Sequence, residues 1–283
     1  MSALSRRVRT GLLLGPLFLA VALVGPRAFA VGLAILILLG AWELWRLLQR
    51  LGLEMLPWMP LGALFLFALG STGILENWEL PLAIIAWGGA LALLLRPPEV
   101  PAHPREKTRV PAARSIGAHL LGALYLGLLP SFLIRLYEGG WSGAAPAGTG
   151  VGWLFFAIFS IWSCDTGAYL VGSAWGKHPL WPSVSPKKTW EGVAGGAIAS
   201  VLFAIFVGPL LNTGLSGVEA AGLGFLVALT ATTGDLIESR IKRIAQVKDS
   251  GALFPGHGGV LDRFDSLFFA APLFYYYLLH FGR

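Results

Sequence analysis

Residues Gly234 to Ser266 read GDLIESRIKRIAQVKDSGALFPGHGGVLDRFDS, a densely charged run set between apolar segments. It holds Asp235, Glu238, Asp249, Asp262 and Asp265, five of the fifteen acidic residues, interleaved with Arg240, Lys242, Arg243, Lys248 and Arg263. On a helix continuing from the apolar run before it, Asp235, Ser239 and Lys242 fall at i, i+4 and i+7 and share one stripe. Asp262 and Asp265, three apart at the head of the next apolar run, share a face as well. Between them, Pro255, Gly256, Gly258 and Gly259 predict a turn, because proline cannot continue a helix and glycine tolerates positive φ. The chain is therefore expected to double back so that carboxylates from both helices meet among lysines and arginines. Such a set suits a hard, oxygen-binding cation such as Mg2+ shared with phosphate oxygens. A solvated loop that only sets membrane orientation needs Lys and Arg, not five carboxylates.

The string Ser239, Ile241, Lys242, Arg243, Lys248, Asp249, Gly251, Phe254, Pro255, His257, Gly258, Gly259, Val260, Asp262, Arg263, Phe264 and Asp265 resembles, without departure, the signature of the phosphatidate cytidylyltransferases, or CDP-diacylglycerol synthases. That resemblance implies an integral membrane enzyme that condenses CTP with phosphatidic acid, giving CDP-diacylglycerol and pyrophosphate with Mg2+. A homodimer is implied too, and a second cation stays open.

Composition bounds the class independently. A chain of 283 residues that is 55% hydrophobic and 13% charged, with mean hydropathy +0.70, is too apolar for an ordinary soluble domain. The net charge of +6 lies in short loops between apolar runs, where an orientation signal explains it better than nucleic acid, so no nucleic-acid partner is expected. Cys164 is the single cysteine, which excludes an internal disulfide and a thiolate cluster; a small packing residue is expected there.

The expected fold is an all-α integral membrane protein of about nine spans: Gly11 to Val24, Ala28 to Leu48, Leu56 to Thr72, Leu80 to Leu95, Ile116 to Leu136, Val151 to Val171, Gly192 to Leu211, Ala220 to Thr233 and Ser266 to Phe281. Ala28, Phe29 and Ala30 resemble a signal-peptidase site, but another apolar segment follows at once, so a cleaved signal is rejected. With the N-terminus in the cytoplasm and the C-terminus outside, 18 of the 21 Lys and Arg face inward, leaving Arg27, Arg135 and Arg283. The Pro- and Arg-rich stretch 96–115 then divides a four-span region, 1–95, from a five-span catalytic region, 116–283. The first region is expected to serve packing, lipid contact or dimerisation. No organelle-targeting segment is evident, so the expected location is a bacterial inner membrane, among membrane lipids, with the active site facing the cytoplasm.

A second polar run, Ser163 to Gly196, contains Asp165 inside or at the inner end of a span, where an ionisable group is a functional candidate. The competing role is a packing hydrogen bond among Ser163, Thr166 and Tyr169. Further on, Ser185, Pro186, Lys187, Lys188, Thr189, Trp190, Glu191 and Gly192 precede the next span. Ser185 or Thr189 could cap that helix beside two lysines, a ready phosphate site, although paired lysines are also ordinary topology signals. This string resembles a second recurrent region of the same family, which favours the nucleotide phosphates.

On this reading Asp235 and Asp262 hold the metal, with Asp265 and Asp249 in support. Ser239 and Lys242 contact phosphate, joined by Arg263. Ser185, Lys187, Lys188 and Thr189 bind the CTP triphosphate, and Lys248 and Asp165 belong to the substrate-binding set. His257 either hydrogen-bonds within the turn or binds phosphate; it is not assigned as a base, because phosphatidic acid is its own anionic nucleophile near neutrality. The rivals are a CTP-dependent polyprenol or phytol kinase, which uses similar triphosphate machinery, and a cation-coupled transporter. The latter would more naturally show broken helices in both halves.

Overall fold

The computed structural model describes residues 3–53, 57–75, 77–95, 112–139, 149–254 and 258–281. Pro255, Gly256 and His257 lie outside the described residues, as does most of the 96–115 stretch. Among those described, the chain is helical apart from one short hairpin. In order the elements are α1 (Ala3–Val24), α2 (Pro26–Arg50), α3 (Met59–Ser71), α4 (Glu79–Leu95) and α5 (Ala112–Ala123), a π-helical turn (Leu124–Leu128), and α6 (Leu129–Glu138). There follow α7 (Thr149–Trp175), β1 (Pro179–Trp181), β2 (Ser185–Thr189), α8 (Trp190–Phe206), a 3-10 turn (Gly208–Leu211), α9 (Gly217–Ile244) and α10 (Leu261–Phe281).

Among the described residues, four helices are long and apolar enough to cross a membrane: Pro26–Arg50, Ala113–Glu138, Gly150–Trp175 and Gly217–Ile244. Shorter apolar helices are Leu12–Val24, Met59–Ser71, Glu79–Leu95 and Trp190–Phe206. Large apolar side chains such as Ile35, Phe65, Ile84, Leu202 and Phe206 stay exposed on them. In lipid that exposure carries no penalty, because acyl chains are as apolar as leucine. The architecture is that of an all-α, multi-pass membrane protein.

The chain forms two compact units, Met1–Ser131 with Ile237–Phe264, and Phe132–Leu236 with Asp265–Arg283. In the first, α2 starts at Pro26 after Gly25, whose φ of 139° suits glycine and whose successor has no N–H to satisfy. Its buried face carries Phe29, Leu33, Ile37 and Leu44, and Gly40 lets Val260 and Leu261 approach to 3.6 and 3.5 Å of where a Cβ would stand. Phe18 stacks edge-on against Phe264, centroids 5.2 Å apart. Gln246 ends α9 in the left-handed region at φ 55°. Val247 N–H then reaches back to the Lys242 carbonyl (2.9 Å) and Gln246 N–H to that of Arg243 (3.1 Å), the double closure that satisfies the last carbonyls of a helix.

The second unit centres on Phe132, Trp153, Phe156, Phe268, Phe274 and Tyr275, all buried. Arg135 lies 4.4 Å over the Tyr275 ring. Here α7 and α8 pack through small residues. A Cβ on Gly167 would collide with Ala199 and come within 2.7 Å of the Gly195 carbonyl, and Cys164 Sγ packs against Gly196. Gly167→Ala is expected to destabilise the protein by about 1–3 kcal/mol through overpacking, read as a lowered thermal midpoint in detergent.

Candidate active site

In the second unit, α9 and α10 approach at Gly234, where an added Cβ would lie 2.9 Å from Phe269 Cβ and 3.0 Å from the Asp265 carbonyl. Ser266 Oγ donates to the Ala231 carbonyl across the same contact (3.0 Å). This close packing is possible because residue 234 has no side chain, and it brings Asp235 beside Asp265. One carboxylate oxygen of each lies within 4.8 Å of the other. Glu238 follows Asp235 by one turn of α9. Asp235 and Asp265 offer oxygen donors only, the chemistry that Mg2+ prefers. Asp265 is buried and its Oδ1 accepts from Ser266 N–H (2.7 Å).

The lysine pair arrives on a strand. β1 and β2 form an antiparallel hairpin in which Pro179 faces Thr189 and Trp181 faces Ser185. Lys188 thereby reaches α9, its Nζ 2.7 Å from Asp235 Oδ2. Asp165, partway along α7, lies within electrostatic reach of Asp265, as does Lys188. Lys187 points to the exposed side. Of the two candidate caps, Thr189 holds the position: its Oγ1 accepts from Gly192 N–H (3.1 Å). Trp190 N–H donates to the His178 carbonyl (2.9 Å), so two of the first amides of α8 already have partners.

Glu191 frames this hairpin. Its Oε2 accepts from Lys177 N–H (3.1 Å) and His178 N–H (3.2 Å), and its Oε1 pairs with His178 Nδ1 at 2.5 Å. Glu191 precedes the apolar run of α8, which starts at Gly192. The His178 side-chain bond, with these backbone donors, holds its carboxyl at about 2, below the ordinary carboxylate value.

The first unit carries a second set. Asp262, at the head of α10, receives Ser250 N–H (2.9 Å), Ser250 Oγ (2.8 Å) and Gly259 N–H (2.7 Å) on Oδ2. Its Oδ1 takes Lys242 Nζ at 2.6 Å. Lys242 Nζ also meets Glu238 Oε2 at 2.5 Å, so one ammonium sits between two nearly buried carboxylates. Gly258 has φ 82°, and a Cβ there would strike Asp262 Oδ2; both facts call for glycine. Ser239 and Arg240 are buried, whereas Arg263, Lys248 and Asp249 are exposed; Asp249 does not join the metal-ligand group.

Glu43 escaped the sequence reading. Its carboxylate, buried on α2, accepts from Ser250 Oγ (3.1 Å), Val260 N–H (3.1 Å) and Leu261 N–H (3.1 Å). The available signal was an acidic residue inside an apolar span, the same rule that singled out Asp165.

With this geometry in view, comparison with known proteins is decisive for the family. The profile described as "Cytidylyltransferase family" matches residues 5–281. The chain belongs to the cytidylyltransferase family. It is 36% identical over 167 residues to a protein named phosphatidate cytidylyltransferase from Bacillus subtilis (strain 168), covering 59% of this chain and 60% of that protein. It is 43% identical over 124 residues to one of the same name from Staphylococcus aureus (strain COL), covering 44% of this chain and 48% of the relative. The chain thus spans between about half and three fifths of the length of these relatives.

Two outcomes are expected. Lys242→Met leaves Glu238 and Asp262 without their cation and should cost about 3–5 kcal/mol of stability, measured by thermal unfolding in detergent. The folded Glu191 carboxyl is depressed, so its contribution to the hairpin is fully present above the ordinary value of 4.5 and is lost as pH falls toward about 2. Carboxyl NMR of labelled Glu191 should show a midpoint near that value, moving upward in His178→Ala.

Proposed function

We propose that the protein is a phosphatidate cytidylyltransferase, joining CTP to phosphatidic acid to give CDP-diacylglycerol and pyrophosphate for phospholipid synthesis. The observation that carries this reading is the lysine strand brought onto paired carboxylates, with Lys188 Nζ 2.7 Å from Asp235 Oδ2 and Asp235 facing Asp265. Phosphate-binding cations and metal-binding oxygens in one place are what a nucleotidyl transfer between two polyanions requires. The family match and the relatives' names support the same reaction.

Asp235 and Asp265 are the residues we assign to Mg2+. Asp262, which the sequence reading paired with Asp235, is assigned to shaping the loop, because both its oxygens already accept from protein donors. When bound, Mg2+ would offset charge on the phosphate oxygens and on the departing pyrophosphate. Lys188, Lys187 and Ser185 bind the CTP triphosphate, and Asp165 belongs to the substrate-binding set. Ser239, Lys242, Arg263 and Lys248 remain candidates for phosphate contact. No general base is required of the chain, since a phosphate monoester has its second pKa at about 6 and attacks as its own anion. The reading includes nine crossings, the four-span and five-span regions, an active site facing the cytoplasm of a bacterial inner membrane, and a homodimer.

The experiment is transfer from CTP labelled at the α-phosphate, using purified protein, phosphatidic acid and Mg2+ in detergent. Label is expected in the lipid with wild type. It should fall by about 100-fold or more in Asp235→Asn, as for loss of a group that holds transition-state charge, and vanish with EDTA. Label from γ-labelled CTP in a lipid alcohol, with none from the α-position, would replace this reading with a lipid kinase.

A further inference from the structure

We propose that Glu43 is a positioning residue for the reaction: from α2, outside the signature, it sets residues 250–251 and 258–262 so that Asp262 and Lys242 keep their places. This rests on the function proposed above. The carboxylate is 8% exposed, and three donors of the loop converge on it. Val260 N–H points to Oε1, while Leu261 N–H and Ser250 Oγ point to Oε2. Val260 and Leu261 stand at the start of α10, whose first amides have no partners within the helix. Glu43 supplies those partners from 217 and 218 residues away.

The loop is shaped to receive it. A Cβ on Gly259 would strike both Glu43 oxygens and Ser250 Oγ, and one on Gly251 would strike Glu43 Oε1. Only bare backbone lets the carboxylate lie this close to two loop segments at once. From there the contacts run on to Asp262 and Lys242. Ser250 Oγ stands between Glu43 Oε2 and Asp262 Oδ2, with one proton for two acceptors, so it donates to one at a time. Gly259 N–H fixes Asp262 Oδ2, and Asp262 Oδ1 fixes Lys242 Nζ. Lys242 in turn neutralises Glu238. Glu43 touches neither Lys242 nor Glu238 in this sequence of contacts; it acts through the loop.

An amide cannot replace it. Glutamine has one acceptor oxygen and an NH2 group, so either orientation sets a donor against at least one of the three loop donors. Aspartate keeps the acceptors but stands one methylene short.

The test compares wild type, Glu43→Gln, Glu43→Asp and Leu33→Ala, all full length in detergent. Leu33 is buried on the same helix, away from the loop, and controls for general loosening of α2. Two readouts are taken: kcat and KM for CTP from α-label transfer, and hydrogen–deuterium exchange of residues 250–262. Glu43→Gln is expected to lower kcat about 10–100-fold, the usual cost of losing a group that orients a ligand, with KM for CTP changed less. Exchange at Ser250, Val260 and Leu261 should rise. Glu43→Asp should recover part of kcat. Leu33→Ala should lower the thermal midpoint while leaving kcat per folded protein and loop exchange near wild type. A Glu43→Gln enzyme with kcat within twofold of wild type, or with loop exchange unchanged, would overturn the proposal. So would Leu33→Ala reproducing the same kcat loss. A wild type that transfers no label although its loop is protected would overturn the proposed reaction and the positioning role with it, while leaving Glu43 as a loop anchor.

Discussion

An ionised carboxylate among apolar helices persists only where enough donors surround it, because burial of an unpaired charge costs several kcal/mol. In the first unit that constraint organises everything near the signature loop. Glu43, Asp262 and Glu238 bring three negative charges into poorly hydrated surroundings, against which Lys242 stands with Ser250 and the backbone amides of Gly259, Val260 and Leu261. The loop has its shape because amides had to be aimed at acids. Glycine recurs in it for the same reason: each of Gly251, Gly258 and Gly259 would place a Cβ against a carboxylate.

The second unit treats its carboxylates differently. Asp235 is about a third exposed, and its partner Lys188 rides on a two-stranded hairpin held from the side by Glu191. A lysine so placed is neutralised by one carboxylate, whereas Lys242 is enclosed by two acceptors. An incoming phosphate can take Lys188 from Asp235 more readily, since this pair keeps access to water. Taking Lys242 from Glu238 and Asp262 would leave two buried charges exposed to each other. The two lysines therefore suit different tasks: one exchanges partners, the other keeps a loop in place.

Much of this was legible in the sequence. The membrane class followed from composition, and the approach of α9 to α10 from a glycine- and proline-rich turn between charged helix ends. Thr189 was one of the two caps, with Ser185, that its place before an apolar run allowed. What was not legible depends on tertiary contact. Glu43 pairs with residues more than 200 positions away, and no local period announces that. The Ser185 to Thr189 strand was read as a helix entrance because a five-residue polar strand, paired with three residues across a tight turn, has no apolar alternation to betray it. Spacing put Asp262 and Asp265 on one face, and Asp262 was ranked first for the metal; the loop amides and Lys242 that hold it come from tertiary contact.

The different surroundings of Asp262 and Asp265 bear on how a signature with two aspartates three residues apart divides its labour. A carboxylate whose Oδ2 accepts from two backbone amides and shares the Ser250 hydroxyl with Glu43, and whose Oδ1 holds an ammonium, takes a cation only by giving up contacts that shape the loop. Asp265, whose Oδ1 accepts from Ser266 N–H, faces Asp235. Two like charges so close are stable only with a positive charge between or beside them, and Lys188 supplies one. A divalent ion would supply more, which is why the pair at Asp235 and Asp265 is the place where substrate and cation are expected to meet.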